Sequence, residues 1–544
     1  MDLSAVAREA ASIGRMRLLG PCRAAAGALA LIVAGWAGPA VAQAQISEAW
    51  TRASTVDVDA RAVSARLEAM GGLEASVEEP QNRINPYAFS DNPAGLLADQ
   101  DSSSIEESSH YDNFEDNYFS IPHSVVQRRS GLVAALRNSQ GWVLGLEGIY
   151  GGVNASRHDL LPSPDNGRFI RDFDVLYPAN FNPAPGDQHL QARVTVPRFG
   201  VTYGRKFFRK ITLAGRFRYR HESESRIVPN PYELNLTSNQ LALAGGALVD
   251  PRLGPLALTL AASGGWMGNH VRGLSDGPFN EDHYDWNRPE VSFNAQLGIR
   301  YKNWLRGIID GRHRSHDGEE IAEVNWAAQY FLNPLPINNN NPSESTFKRK
   351  WSAFLSGLRR NEVASRWMVD VPKTPAHMGF RYRYYRELEW IHPNETVLQT
   401  ARPLDVRRLG YQADGGVSVD LPNGRGLLGT EVQFAREDRI DYTGALPDIA
   451  SSEMTYNFGA EYRARPWLPV RGGFVVIRRD PDRGDGVPPL KGIRFTAGLG
   501  YFWSFLGTQV DASYAHEHVR YTPGDPSAEI SRSDRASIVF RYLF

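Results

Sequence analysis

From about Arg128 to the last residue, apolar and polar positions alternate with a period of two. Trp142, Leu144, Leu146, Gly148 and Tyr150 alternate with Val143, Gly145, Glu147 and Ile149. Ile211, Leu213, Gly215, Phe217 and Tyr219 alternate with Thr212, Ala214, Arg216, Arg218 and Arg220. The same dyad recurs over residues 291–301, 454–464 and 493–503, and over 536–544, where Ala536, Ile538, Phe540, Tyr542 and Phe544 share one face. Weaker candidates lie near 190–204, 240–249, 256–266, 304–313, 322–330, 351–359, 378–385, 409–421, 428–436, 470–478 and 508–516. A period of two is the signature of strands. Several of these runs are longer than the usual strand of a soluble sheet. They match the roughly 9–11 residues that a tilted strand needs to cross a bilayer.

One face of each run is apolar with aromatics at its ends, and the other carries Arg, Asn, Gln and Gly. In a closed transmembrane barrel the first face meets lipid and the second meets the lumen. In a soluble sheet the sticky face would be an exposed liability. The pattern predicts an all-β protein, a transmembrane antiparallel β-barrel of about 14 strands (range about 12–16), the count being expected to be even. Connections sort into short turns, such as Asn138–Gly141 and Pro422–Arg425, and long polar loops, such as 152–188, 267–288, 332–349 and 480–490. Barrels of this kind place short turns on the periplasmic side and long loops outside.

The amino-terminal part reads differently. Arg8, Arg15, Arg17 and Arg23 precede an uncharged apolar stretch, and Ala40-Val41-Ala42 fits the small-x-small cleavage pattern of a signal peptide over residues 1–42. Past it, Val63, Leu67 and Met70 recur at helical spacing before the stop signal Gly71-Gly72, and a stretch rich in Asn, Pro, Ser, Asp and Glu follows. Residues 43–127 are therefore expected to form a short helical and irregular segment, and residues 128–544 the barrel.

Composition narrows the function. The sole cysteine, Cys22, falls within the signal region, which leaves no thiol or disulfide chemistry in the mature chain. Removing residues 1–42, which carry the four arginines against Asp2 and Glu9, moves the net charge from −1 to −3. Such a balance argues against a nucleic-acid binder. Catalytic patterns are weak. Gly273-Leu-Ser275-Asp-Gly277 has the letters of a nucleophile elbow but lies among Gly and Asp rather than between strand and helix. His313, His316, Asp317, Glu319 and Glu320 lack a frame that would converge them on a metal, and His516 and His518 share a strand face from which Glu517 points away. Neither an enzyme nor a bound metal or cofactor is expected.

Inner-face arginines are candidates for binding anionic solutes, because guanidinium pairs with carboxylate in a bidentate fashion. They are Arg216, Arg218, Arg220, Arg300, Arg463 and Arg494, with Arg541 in the closing strand. Equally, Arg–Glu pairs with Glu147 and Glu461 would simply brace the wall.

Two stretches resemble known proteins. The closing strand, with Phe540, Tyr542 and a terminal Phe544, is similar to the signal by which the barrel-assembly machinery recognises outer-membrane proteins. Met70-Gly71-Gly72-Leu-Glu-Ala followed by Ser90-Asp-Asn92-Pro93-Ala94-Gly95-Leu96 resembles the N-terminal region of FadL-like outer-membrane transporters of hydrophobic compounds. A related group bearing the same Asn-Pro-Ala-Gly-Leu stretch serves as outer-membrane partners of secretion systems. The first resemblance implies a "hatch" that includes Gly71, Gly72, Asn92, Pro93, Ala94 and Gly95 and folds into the lumen. It also implies passive uptake of a small hydrophobic or amphipathic solute through the outer membrane of a Gram-negative-type bacterium. The second implies a barrel that transports nothing and docks a periplasmic partner. Glu78-Glu79-Pro80 and Asn85-Pro86-Tyr87 depart from the FadL-like pattern and alter the spacing between the glycine pair and Asn-Pro-Ala.

Overall fold

In a computed structural model the chain forms a closed antiparallel β-barrel. The structure describes residues 64–77 and 92–95 and, from 103 to 544, the strands with most of the turns between them. The expected signal peptide, residues 1–42, and the long-loop centres lie outside the described residues.

The wall begins with β1 (Ser104–Asp116), β2 (His123–Arg137), β3 (Trp142–Arg157), β4 (Leu190–Phe207), β5 (Ile211–Val228) and β6 (Tyr232–Val249). A two-residue strand, β7 (Arg252–Leu253), folds onto the start of β8 (Leu256–Asp276). Next come β9 (Glu281–Asn287) and β10 (Glu290–Tyr301), which pair with β8 and with β11 (Leu305–Val324) in one unbroken register. They are a single stave interrupted at Pro289, whose nitrogen has no hydrogen to give the ladder. The wall continues through β12 (Arg349–Asp370), β13 (Ala376–Pro393), β14 (Leu404–Asp420), β15 (Gly426–Asp441) and β16 (Ile449–Arg465). It ends with β17 (Leu468–Arg483), β18 (Leu490–Trp503), β19 (Thr508–Arg520) and β20 (Ile530–Leu543). β20 pairs with β19 and β1, so no edge is left open.

Among the described residues the wall has 18 strands rather than the expected 14. It also starts at Ser104, ahead of the expected Arg128. The earlier start, and one of the additional strands, have a local cause. β1 reads Ser-Ile-Glu-Glu-Ser-Ser-His-Tyr-Asp-Asn-Phe-Glu-Asp, polar on both faces, so no period-two signal marks it. Its ladder partners β2 and β20 hold it in place, with ion pairs from Arg541 to Glu106 and from Arg535 to Asp112. The candidate strand at 322–330 is not a separate strand where described, because residues 322–324 are the end of β11.

The faces follow the dyad. Tyr150, Phe217, Tyr219, Phe293, Phe458, Phe495 and Ile538 are exposed on the outside, and Glu147, Glu431, Glu461 and Glu517 are buried within. No helix among the described residues is long and apolar enough to cross a membrane. The apolar belt belongs to the strands, and that belt around a closed, even-numbered barrel is what a bilayer requires.

Short turns carry the chemistry that their geometry demands. Asn138 accepts from the backbone of Gln140 and Trp142 through its side chain, and Asn423 and Gly424 take positive φ (61° and 65°).

Candidate functional site

The amino-terminal segment meets the inner wall at two places. The first is a single helical turn, α1 (Ala65–Ala69), capped by Ser64, whose hydroxyl accepts from the Leu67 amide at 3.3 Å. Gly71 and Gly72 end it with φ of 73° and 78°, a region costly for residues bearing a Cβ. Leu67, Met70, Leu73 and Val77 then form a small buried cluster.

Polar contacts fasten this segment from end to end. Arg66 Nε lies 2.7 Å from Glu461, which also accepts from Arg471 at 2.9 Å. Glu68 accepts from the hydroxyls of Ser513 (2.7 Å) and Ser537 (2.9 Å). Thr496 donates to the Ala69 carbonyl at 2.9 Å, and Asn457 to that of Gly72 at 3.4 Å. Glu74 pairs with Arg381. The amide of Ala75 donates to Glu431 at 2.8 Å, Ser418 donates to the Ser76 carbonyl at 2.7 Å, and Arg366 donates to that of Val77 at 3.0 Å. The backbone polar groups of a short, mostly non-helical segment are thus satisfied by wall side chains.

Close approach is possible because the wall is thin beneath the segment. A Cβ on Gly379 would stand 1.8 Å from the Ala75 carbonyl oxygen, and one on Gly459 would stand 2.1 Å from that of Met70. Gly473 and Gly498 likewise lie directly under Gly71 and Ala69. These glycines come from β13, β16, β17 and β18, so the track runs across the sheet and cannot be seen in any one strand.

The second contact is Asn92-Pro93-Ala94. Asn92 Oδ1 accepts from the Ala94 amide at 2.9 Å, a side-chain turn that shapes the loop. Its Nδ2 reaches the carbonyls of Ala247 and Ala262, both at 3.4 Å. A Cβ on Gly246 would overlap Asn92 Oδ1, so this wall position must be glycine for the turn to seat. Ala94 packs with Leu248 and Ala261. The two contacts fall on different sectors of the barrel, β12–β20 for residues 66–77 and β6–β8 for Asn92.

On the outer face of that second sector runs a row of glycines. Gly215, Gly245 and Gly264 stand directly opposite one another on β5, β6 and β8, with Tyr203 and Phe293 at the row's ends. Together with Phe217, Leu243 and Trp266 they line an apolar groove of about 630 Å³ on the lipid-facing side. Gly246, which touches Asn92, follows Gly245 in the same strand. Inner turn and outer groove are therefore separated by one layer of backbone. The ladder is continuous there, so the wall is thin but not gapped.

Arg198, Arg218, Arg463, Arg494 and Arg541 stand in ion pairs. Arg218 and Arg198 both flank Glu147, at 2.5 and 3.4 Å. Arg463 reaches Glu461 at 3.3 Å, Arg494 donates to Glu517 at 2.6 Å, and Arg541 donates to Glu106 at 2.8 Å. Arg216 and Arg220 share the inner face of β5 with Arg218, and Arg300 lies near the short-turn end of β10. The remaining sequence candidates separate. Ser275 lies inside β8 opposite Asp282, not at a strand-to-helix turn. His313 faces outward, bonded to Asn361, whereas His316 is buried on the opposite face. Sequence reading missed the track glycines Gly379, Gly459, Gly473 and Gly498 and the buried Glu431, since each is one inward letter in an ordinary dyad.

The closed barrel, its outer apolar belt and its short-turn and long-loop ends define a β-barrel of the outer membrane of Gram-negative-type bacteria. Its structural neighbours include toluene transporters and monoaromatic hydrocarbon channels, together with a ferric preacinetobactin receptor. The toluene transporter TbuX of Ralstonia pickettii is 11% identical, with 88% of this chain and 98% of that one covered and a TM-score of 0.34. The toluene transporter TodX of Pseudomonas putida is 11% identical over 88% and 98%, with a TM-score of 0.30. BauA, the ferric preacinetobactin receptor of Acinetobacter baumannii, is 8% identical over 82% and 80%, with a TM-score of 0.42. No family model matches the chain, and no curated protein matches it.

Proposed function

We propose that this barrel is a passive outer-membrane channel for small hydrophobic or amphipathic molecules, with the amino-terminal segment acting as its hatch. The observation that carries the reading is the pairing of Asn92-Pro93 on the inside with the glycine-floored groove on the outside. An apolar solute gains little from an inner face set with Arg–Glu pairs. A groove lined by Phe217, Leu243 and Trp266 offers it the burial it seeks. A glycine-thinned part of the wall joins the two, and Asn92 bonds to carbonyls on both strands that would have to part. Movement of the hatch and local opening of β6 from β8 would connect lumen and bilayer without exposing the solute to water.

Docking of a periplasmic partner is less well supported, because the described hatch residues are committed to the wall. The test is uptake of a small uncharged aromatic probe by cells with an intact outer membrane. Cells carrying the full chain should take up the probe faster than cells without it, and a variant lacking residues 43–97 should change the rate and leak hydrophilic solutes. No gain from either form, with both barrels folded in the membrane, would overturn the channel reading.

A further inference from the structure

The short-turn end of the barrel carries a charge that the chain as a whole does not. The eight short turns, taken with three strand residues on either side, hold 13 Lys and Arg against three acids. The whole chain has a formal net charge of −1. Arg205, Lys302, Lys373, Arg425 and Arg465 are exposed members of this set and come from five different turns.

The three acids are held by other neighbours. Asp250 accepts from the Thr259 hydroxyl at 2.8 Å. Asp370 pairs with Arg306 at 3.0 Å and with His377 at 2.7 Å, and Asp420 lies 3.0 Å from the other ring nitrogen of that histidine. Asp99 and Asp101, ahead of β1, fall outside the described residues. Counted with the terminal carboxylate they raise the acids of this end to six, which still leaves a surplus of seven positive charges. The surplus belongs to the whole end and rests on no single pairing.

Neighbouring rings set the level of these cations. The Arg205 guanidinium lies 5.3 Å from the Phe207 ring centre, and the Lys302 ammonium 5.5 Å from that of Tyr301. Tyr301 in turn meets Trp304 edge-on at 5.7 Å, as Trp467 meets Tyr501 at 5.5 Å. Exposed Trp and Tyr at the rim of a barrel mark the depth of the lipid headgroups. Lys302 and Lys373 also take positive φ (50° and 64°) in their turns, where glycine would be relaxed. Strain accepted at two lysines points to a use for their charge.

We propose that this basic rim is a binding surface for the anionic phospholipid headgroups of the periplasmic leaflet, whatever solute the lumen carries. The exposed cations run from β4 round to β17, over most of the circumference. A folded protein partner would meet one sector of such a ring, whereas a leaflet meets all of it. Guanidinium forks pair with phosphate oxygens, and lysine supplies a point charge beside them. The attraction fixes the depth at which the short turns sit and surrounds the barrel with acidic lipid on that side.

The purified full-length barrel, in neutral detergent, is titrated with phosphatidylglycerol and with phosphatidylcholine of the same acyl chains, and retention is read by native mass spectrometry. The rim variant K302Q/K373Q/R425Q/R465Q is measured alongside, with R359Q/R407Q/K491Q/R520Q, far from the short turns, as the charge-matched control. Wild type and control should retain phosphatidylglycerol over phosphatidylcholine. The rim variant should lose that preference, by about fivefold for each cation a headgroup meets. The charge-keeping variant K302R/K373R should behave as wild type, and raised salt should weaken retention, as exposed charges require. Equal retention of the two lipids by wild type would overturn the proposal. So would an unchanged preference in a rim variant that still migrates as a folded barrel, or an equal loss in the control. Displacement of phosphatidylglycerol by a short polyglutamate peptide at equal charge would assign the rim to an acidic protein instead.

Discussion

Arg541, three residues from the carboxyl terminus, donates from Nε to Glu106 at 2.8 Å across the seam where the last strand meets the first. Both side chains are largely shielded and point inward. The pair fastens closure at the point where the chain must find its own beginning, and it does so for a first strand with little apolar surface to hold it.

Replacing Glu106 with Gln should therefore weaken the seam. A charged hydrogen bond in a shielded site contributes about 2 kcal/mol. E106Q should lower the temperature at which the folded band converts to the unfolded mobility in gel assays, while removal of an outward-facing residue of β1 such as Ser109 should not.

Glu461 is more deeply committed, almost wholly buried between Arg66 and Arg471. E461Q removes the carboxylate that two shielded guanidinium groups share. Breaking such a pair costs about 3 kcal/mol or more. The hatch should detach before the barrel melts, seen as proteolytic cleavage near residue 64 of a barrel that still resists heat.

Gly379 tests the wall track. G379A places a methyl against the Ala75 carbonyl, a backbone atom that cannot swing aside. Residues 73–77 should become accessible to protease and exchange their amides faster, with the barrel intact. Unchanged protection would mean the segment does not rest on that wall.

The outer groove can be filled without collision, because nothing lies within 4 Å of the Cβ position of Gly245. G245L should fold normally yet slow uptake of the apolar probe severalfold. Uptake at the wild-type rate would show that the solute's path lies elsewhere.

Asn92 can be tested separately. N92A loses both contacts to the carbonyls of β6 and β8 and the turn it shapes. The hatch should loosen at this point alone, raising uptake of hydrophilic solutes while the contacts of residues 66–77 stay protected from exchange.

Much of this was legible in single letters. The alternation at 211–220 assigned Phe217 and Tyr219 to lipid and Arg216, Arg218 and Arg220 to the interior, and the structure has that arrangement. Alternation is local: each Cβ points opposite to the last, and a bilayer sorts the two faces without reference to distant residues. The short turns were legible for the same reason, since Asn423-Gly424 carries its backbone preference with it.

Strand number, the identity of the first strand and the partners of each inward charge were decided only by tertiary structure. β1 is a strand because β2 and β20 complete its hydrogen bonds, a fact that its polar sequence does not contain. Gly379, Gly459 and Gly473 read as unremarkable gaps in three separate dyads, and become one track only when register sets their strands side by side. Sequence determines which face a residue takes, because that is fixed one residue at a time. What stands beside it is fixed by pairing between segments far apart in the chain, and only the closed barrel sets that pairing.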